Sequence, residues 1–124
     1  MNGEPVFCCS DRQYRAERFL EVCLLLLLYR DAGYGYGLLE QLALFGFNAD
    51  TLNMSTLYRT LRKLESRSLV TSAWEDGGPG PRRRVYLITE NGRQDLDQWI
   101  EVLLARKQRI ETVITEYQMR KNTE

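Results

Sequence analysis

The chain has 124 residues, with 17 Lys/Arg, 17 Asp/Glu and no histidine, which is the length of one small domain with a formal net charge of zero. That balance excludes a strongly basic polyanion binder, and the missing histidine removes the commonest acid–base and metal-ligating side chain. Cys8, Cys9 and Cys23 have neither CxxC nor Cys/His spacing, so no zinc site is expected.

Met1 to Ser10 lacks a basic stretch followed by an apolar core and does not read as a signal peptide. Residues 1–11 are expected to form a flexible tail, in which Cys8 and Cys9 are either a redox-sensing pair or bland surface residues. The first helix is predicted from about Arg12 to Arg30 and is almost wholly apolar from Phe19 onward, so it needs cover on every side. Cys23 reads there as a small buried hydrophobe. Its apolar run, Val22 to Tyr29, falls far short of the ~20 residues of a membrane helix. A cytoplasmic location without membrane contact is the resulting expectation. A second helix, about Gly35 to Phe45, puts Leu38, Leu39, Leu42 and Phe45 on a core stripe.

Asn53 to Gly92 is the most informative stretch. Leu57, Leu61 and Leu64 recur at i, i+4, i+7 and define the apolar face of a third helix. Asn53 or Ser55 can cap its first turn. The opposite face carries Ser55, Thr56, Arg59, Arg62, Lys63, Ser66 and Arg67, with Tyr58 and Glu65 beside the apolar stripe. A loosely alternating run to Glu75 then leads into Asp76-Gly77-Gly78-Pro79-Gly80-Pro81, a concentrated turn signal. Arg82-Arg83-Arg84-Val85-Tyr86-Leu87-Ile88-Thr89 returns as a second strand with three cations at its start. Thr89 and Glu90 read as the cap and first turn of a last helix. Residues 53–84 hold seven Lys/Arg against three Asp/Glu, so the neutral chain contains a cationic patch. A helix with a cationic outer face beside a cationic hairpin suits duplex DNA, the helix in the major groove and the hairpin along a phosphate backbone. Ser55, Thr56, Tyr58, Arg59, Arg62, Lys63, Arg82, Arg83 and Arg84 are the expected contacts. Tyr36, at the start of the second helix, joins them through a phosphate or else packs as a core or interface tyrosine.

From Glu90 to about Arg120 the last helix spaces Leu96, Leu103, Ile110 and Tyr117 seven residues apart, with Ile100 and Ile114 on the same side and Lys107 interrupting. Alone it would expose too much apolar surface. It can fold back on its own domain or, more economically, pair with the first helix of a second copy, and on the second reading the expected dimer residues are Leu24, Leu28, Leu96, Leu103, Ile110, Ile114 and Tyr117.

These motifs resemble the PadR family of bacterial winged-helix transcriptional regulators. The matching pieces are Tyr34-Gly35-Tyr36-Gly37-Leu38, Thr56-Leu57-Tyr58-Arg59-Thr60-Leu61, Leu64-Glu65, Leu69-Val70-Thr71-Ser72-Ala73-Trp74, Arg83-Arg84-Val85-Tyr86 and Leu87-Ile88-Thr89-Glu90-Asn91-Gly92, in order from about Phe19 to Trp99. Cys23 to Leu28, Phe45-Gly46-Phe47 and Thr71 to Glu75 also look like a subset described as poly-β-hydroxybutyrate-responsive repressors. The pattern departs at Ser68, where the family usually has glycine. If that position needs φ > 0, serine carries strain there and the helix exit is expected to differ slightly. The resemblance implies a mainly α fold with a small β-hairpin: a winged helix-turn-helix over residues 12–89 plus a long C-terminal dimerisation helix over 90–124. It also implies a two-fold dimer on a roughly palindromic operator. In members with a short C-terminal region it implies a pocket for a small hydrophobic or aromatic effector near the two-fold axis, beside a tryptophan. Trp99 matches that tryptophan, with Phe19, Val22, Leu26, Ile100 and Leu103 as walls; ordinary interface packing is the alternative.

Three functions are in view: a dimeric DNA-binding repressor, a winged-helix module that binds protein instead of DNA, and a small enzyme or metal protein. The last has no supporting constellation, since no phosphate-cradling loop is present and Asp95, Asp97 and Glu101 read as a solvated helix face. No cofactor is expected.

Overall fold

The computed structural model describes residues 9–48, 52–75, 80 and 82–123, with side chains from residue 18 onward. The elements in chain order are α1 (Cys9–Leu27), β1 (Gly33–Tyr34), α2 (Gly35–Gln41) continuing as a 3-10 turn (Leu42–Phe45), α3 (Met54–Ser66), β2 (Val70–Glu75), β3 (Arg83–Ile88) and α4 (Glu90–Asn122). The architecture is the expected one, mostly helical with a small antiparallel sheet and a long final helix. Two details differ. Helix α1 starts at Cys9, so the end of the expected tail is helical. The hairpin gains a third strand, β1, and the sheet order is β1-β3-β2. The expectations for residues 1–8, including Cys8, and for the turn at 76–79 and 81 lie outside the described residues.

Helix α1 buries Leu20, Glu21, Val22, Cys23, Leu24 and Leu25 in succession, more than one full turn. It is covered by α2, α3 and α4, which explains why its sequence carries no polar face there. Leu57, Leu61 and Leu64 of α3 are fully buried beneath it, with Leu38 and Leu42 of the second helical segment. Each such leucine contributes about 2 kcal/mol of transfer free energy. Cys23 sits in this core, and burial pushes its thiol up to about 11, so it is inert.

Helix α3 is capped by Asn53, whose Oδ1 accepts from the Thr56 N–H at 2.9 Å. It ends in a Schellman turn. The Leu69 N–H donates to Leu64 O and the Ser68 N–H to Glu65 O, both at 3.0 Å, while Leu69 and Leu64 are buried beside them. Ser68 takes φ 62°, the left-handed conformation that glycine adopts at no cost. The helix thus leaves through a left-handed turn, and serine bears the strain.

The start of α4 is clamped onto this turn. Thr89 Oγ1 accepts from the Gly92 N–H at 3.0 Å and donates to Ser68 O at 2.7 Å, and the Thr89 N–H donates to Leu69 O at 3.0 Å. A Cβ on Gly92 would collide with the Leu69 carbonyl oxygen, so only glycine permits this approach. Leu96 is buried and Trp99 and Leu103 are packed against the core. Every described residue of α4 beyond Leu103 is exposed.

Candidate nucleic-acid interface

The outer face of α3 presents Ser55, Arg59, Arg62 and Lys63 to solvent. Ser55, Arg59 and Arg62 fall at i, i+4, i+7, so they form one stripe along the helix. Thr56 and Tyr58 are half-buried at its edge. Tyr58 also packs against the start of α2. A Cβ on Gly35 would collide with its hydroxyl, so α2 starts directly against α3.

The sheet register divides the hairpin into two faces. Val70, Ser72 and Trp74 lie opposite Ile88, Tyr86 and Arg84, and Thr71, Ala73 and Glu75 opposite Leu87, Val85 and Arg83. On the first face the Arg84 guanidinium lies over the Trp74 ring, 5.3 Å from its centroid. On the second, Arg83 lies 5.7 Å from the Tyr34 ring centroid, and the Tyr34 hydroxyl donates to Glu75 Oε1 at 2.6 Å. That hydrogen bond to a carboxylate, aided by burial, raises the Tyr34 pKa above its ordinary value. The arginines are thus braced against aromatic planes and presented at fixed angles.

Between the start of α2, α3 and the hairpin opens a cavity of about 800 Å³. Tyr36, Tyr58, Trp74 and Tyr86 line it together with Arg62, Arg82, Arg83 and Arg84. Tyr36 is 74 % exposed, which excludes the core-tyrosine alternative within the protomer. The structure therefore brings Tyr36, Tyr58, Arg62 and the three hairpin arginines around one opening, with Arg59, Lys63 and Ser55 exposed on α3. Sequence reasoning missed Tyr34, Trp74, Glu65 and Ser72 as parts of this surface. The alternation of β2 against β3 was the signal that pairs Trp74 with Arg84.

The expected effector residues are spread between the core and the surface of the protomer. Val22 is 4 % exposed and belongs to the core. Phe19 stacks on Phe47, with centroids 6.1 Å apart. Leu26 and Ile100 are exposed, and Leu103 packs on the core. Trp99 alone of the six lines a smaller cavity of about 260 Å³, with Arg18, Asp95, Gln98 and Val102. Arg18 lies over its ring at 5.4 Å.

The dimer expectation needs a similar correction. Leu24, Leu28 and Leu96 are at most 3 % exposed and hold the chain's own core, so they offer no surface to a second copy. Ile110, Ile114 and Tyr117 are exposed on α4, as are Val113 and Met119.

Among the described residues no group of three or more His, Cys, Asp or Glu could hold a metal ion. No described helix is long and apolar enough to cross a membrane.

A three-helix core carrying a small antiparallel sheet beside its third helix is a winged-helix architecture. Residues 24–98 match the transcriptional regulator PadR-like family, and the chain belongs to that family. It is accordingly a regulator and not an enzyme. A PadR-like transcription factor from Bacteroides fragilis superposes with a TM-score of 0.72 at 21 % identity, over 84 % of this chain and 98 % of that one. A PadR family regulator from Eggerthella lenta gives 0.66 at 28 % identity, over 85 % and 90 %. Bacillus subtilis PadR, solved in complex with operator DNA, gives 0.60 at 26 % identity, over 67 % of this chain and 47 % of that one. A relative from Lysinibacillus sphaericus is 28 % identical over 85 residues, covering 65 % of this chain and 77 % of that protein. The family rests on the model matched over residues 24–98, the likenesses agree in fold, and none of them singles out the poly-β-hydroxybutyrate-responsive subset.

Proposed function

We propose that the chain is a dimeric, sequence-specific DNA-binding repressor. Residues 12–89 form the DNA-binding unit and residues 90–124 the dimerisation arm. The observation that carries this reading is the convergence of Tyr36, Arg62 and Arg82 to Arg84 around one opening beside the exposed cationic stripe of α3. Arg59, Arg62 and Lys63 meet major-groove edges and adjacent phosphates, Ser55 and Thr56 let the first turn approach closely, and Arg82 and Arg83 of the wing track the backbone. The operator complex of Bacillus subtilis PadR supports the same use of the fold. Acting on DNA, the chain works in the cytoplasm.

The exposed apolar positions of α4 from Leu104 to Met119 support a second copy as their cover. In the dimer, Ile110, Ile114 and Tyr117 meet the partner, together with the exposed Phe19 and Leu26 of α1. The Trp99 cavity then becomes part of a larger interface pocket, in which a small hydrophobic effector changes the angle between the two heads and releases DNA. Selection from a random duplex pool tests the reading. It should return two half-sites about one helical turn apart, in inverted orientation. No enrichment would favour a protein-binding module. Sedimentation should give a dimer, and effectors that release DNA should quench Trp99 emission in a Trp74→Phe background.

A further inference from the structure

Helix α3 carries a single acidic residue, Glu65, beside Arg59, Arg62 and Lys63. An anion on a helix that faces phosphates opposes binding, so its partners matter. Ser72 Oγ donates to the Glu65 carboxylate, lying 2.8 Å from Oε2 and 3.0 Å from Oε1. The same Oγ accepts from Arg84 Nε at 3.0 Å, and Arg84 Nη2 lies 3.9 Å from Glu65 Oε1. With Trp74 under its guanidinium, Arg84 is held on three sides by protein. These groups join the last turn of α3 to the middle of β2 and the outer end of β3.

The alternative attachment of wing to helix is the three-residue turn Arg67-Ser68-Leu69, at the root of β2. A sheet fixed only at its root can pivot, and a second bond further out removes that freedom. β1 adds a third restraint at the neighbouring position, pairing Tyr34 with Val85.

We propose that Glu65, acting through Ser72 and Arg84, sets the angle between the wing and α3, so that both reach one half-site together. Glu65 and Arg84 are positioning residues, and Arg84 does not spend its charge on a phosphate. This rests on the DNA-binding reading above.

The test is Glu65→Gln in the full-length protein, with binding to the selected operator and to a scrambled duplex measured across a range of salt. Electrostatic repulsion alone requires tighter binding to both duplexes when the anion is removed. Positioning requires the opposite sign: about tenfold weaker operator binding, a smaller loss on the scrambled duplex and an unchanged salt slope. Arg84→Ala should give the same loss, also without a change in slope, and the double variant should lose no more than either single one. Ser72→Ala provides an independent variant, and thermal unfolding confirms that each is folded. The inference is overturned by equal or tighter operator binding in Glu65→Gln, by a salt slope that falls in Arg84→Ala, or by additive losses. If the wild-type chain binds no duplex at all, the parent reading fails and this one with it.

Discussion

Ser68→Gly should stabilise the protein. Ser68 holds φ 62° at the position after the α3 C-cap, where an L-residue is disfavoured by about 1–2 kcal/mol relative to its right-handed form. Glycine relieves that strain but gains freedom in the unfolded chain, which offsets about 0.4–1 kcal/mol. Ser68 enters the turn hydrogen bonds only through its backbone, its N–H donating to Glu65 O and its carbonyl accepting from Thr89 Oγ1, and the Leu69 N–H to Leu64 O bond does not involve its side chain, so the substitution leaves them intact. The net gain is about 0.5–1 kcal/mol. With an unfolding entropy of about 2.1 cal/mol/K per residue, Tm should rise by about 2–4 °C. The assay is thermal unfolding by circular dichroism at one fixed protein concentration, because dimerisation makes Tm concentration-dependent. Ser68→Ala is the control, since it retains the Cβ that causes the strain and should show no gain. A glycine variant no more stable than the parent, or an alanine variant that gains as much, would refute the reasoning.

Gly92→Ala should destabilise by about 1–3 kcal/mol, although alanine is normally the better helix former by about 1 kcal/mol, because the new Cβ meets the Leu69 carbonyl and Ile88 Cγ1. An unchanged or higher Tm would contradict that packing. Arg59→Ala or Arg62→Ala should weaken operator binding by about 1–3 kcal/mol if the side chain reads a guanine edge, and by less if it meets only phosphate. Wild-type affinity in both variants removes these residues from the interface. Arg82→Ala with Arg83→Ala should weaken binding to every duplex and flatten the salt slope while retaining sequence preference. Lost preference at constant slope would mean that the wing reads bases.

The parts of the fold legible from the sequence are those with a period or a cap. Leu57, Leu61 and Leu64 mark the buried face of α3, Asn53 and Ser55 offer two caps for its start, of which Asn53 is used, and Thr89 marks the start of α4. The run Cys23 to Leu28 has no period, so nothing in it distinguished buried Leu24, Leu25 and Leu28 from exposed Leu26. That is why leucines of the protomer core were assigned to the dimer contact. β1 is two residues long and adjoins a helix start, too short for an alternating pattern to register. Arg84 looked like its neighbours because charge counting cannot see partners twelve and nineteen residues away in sequence, Ser72 and Glu65, that only the folded sheet brings near.

The central claim, that α3 and the wing grip duplex DNA through phosphates and base edges, is tested most directly by the salt dependence of wild-type binding to the selected duplex. Fluorescence anisotropy across a range of salt concentrations should give log K falling linearly with log salt. The slope should be about −0.9 for each phosphate contacted, or roughly −5 to −7 for two protomers with three or four contacts each. A slope near zero, or no duplex binding at low salt, would contradict the account.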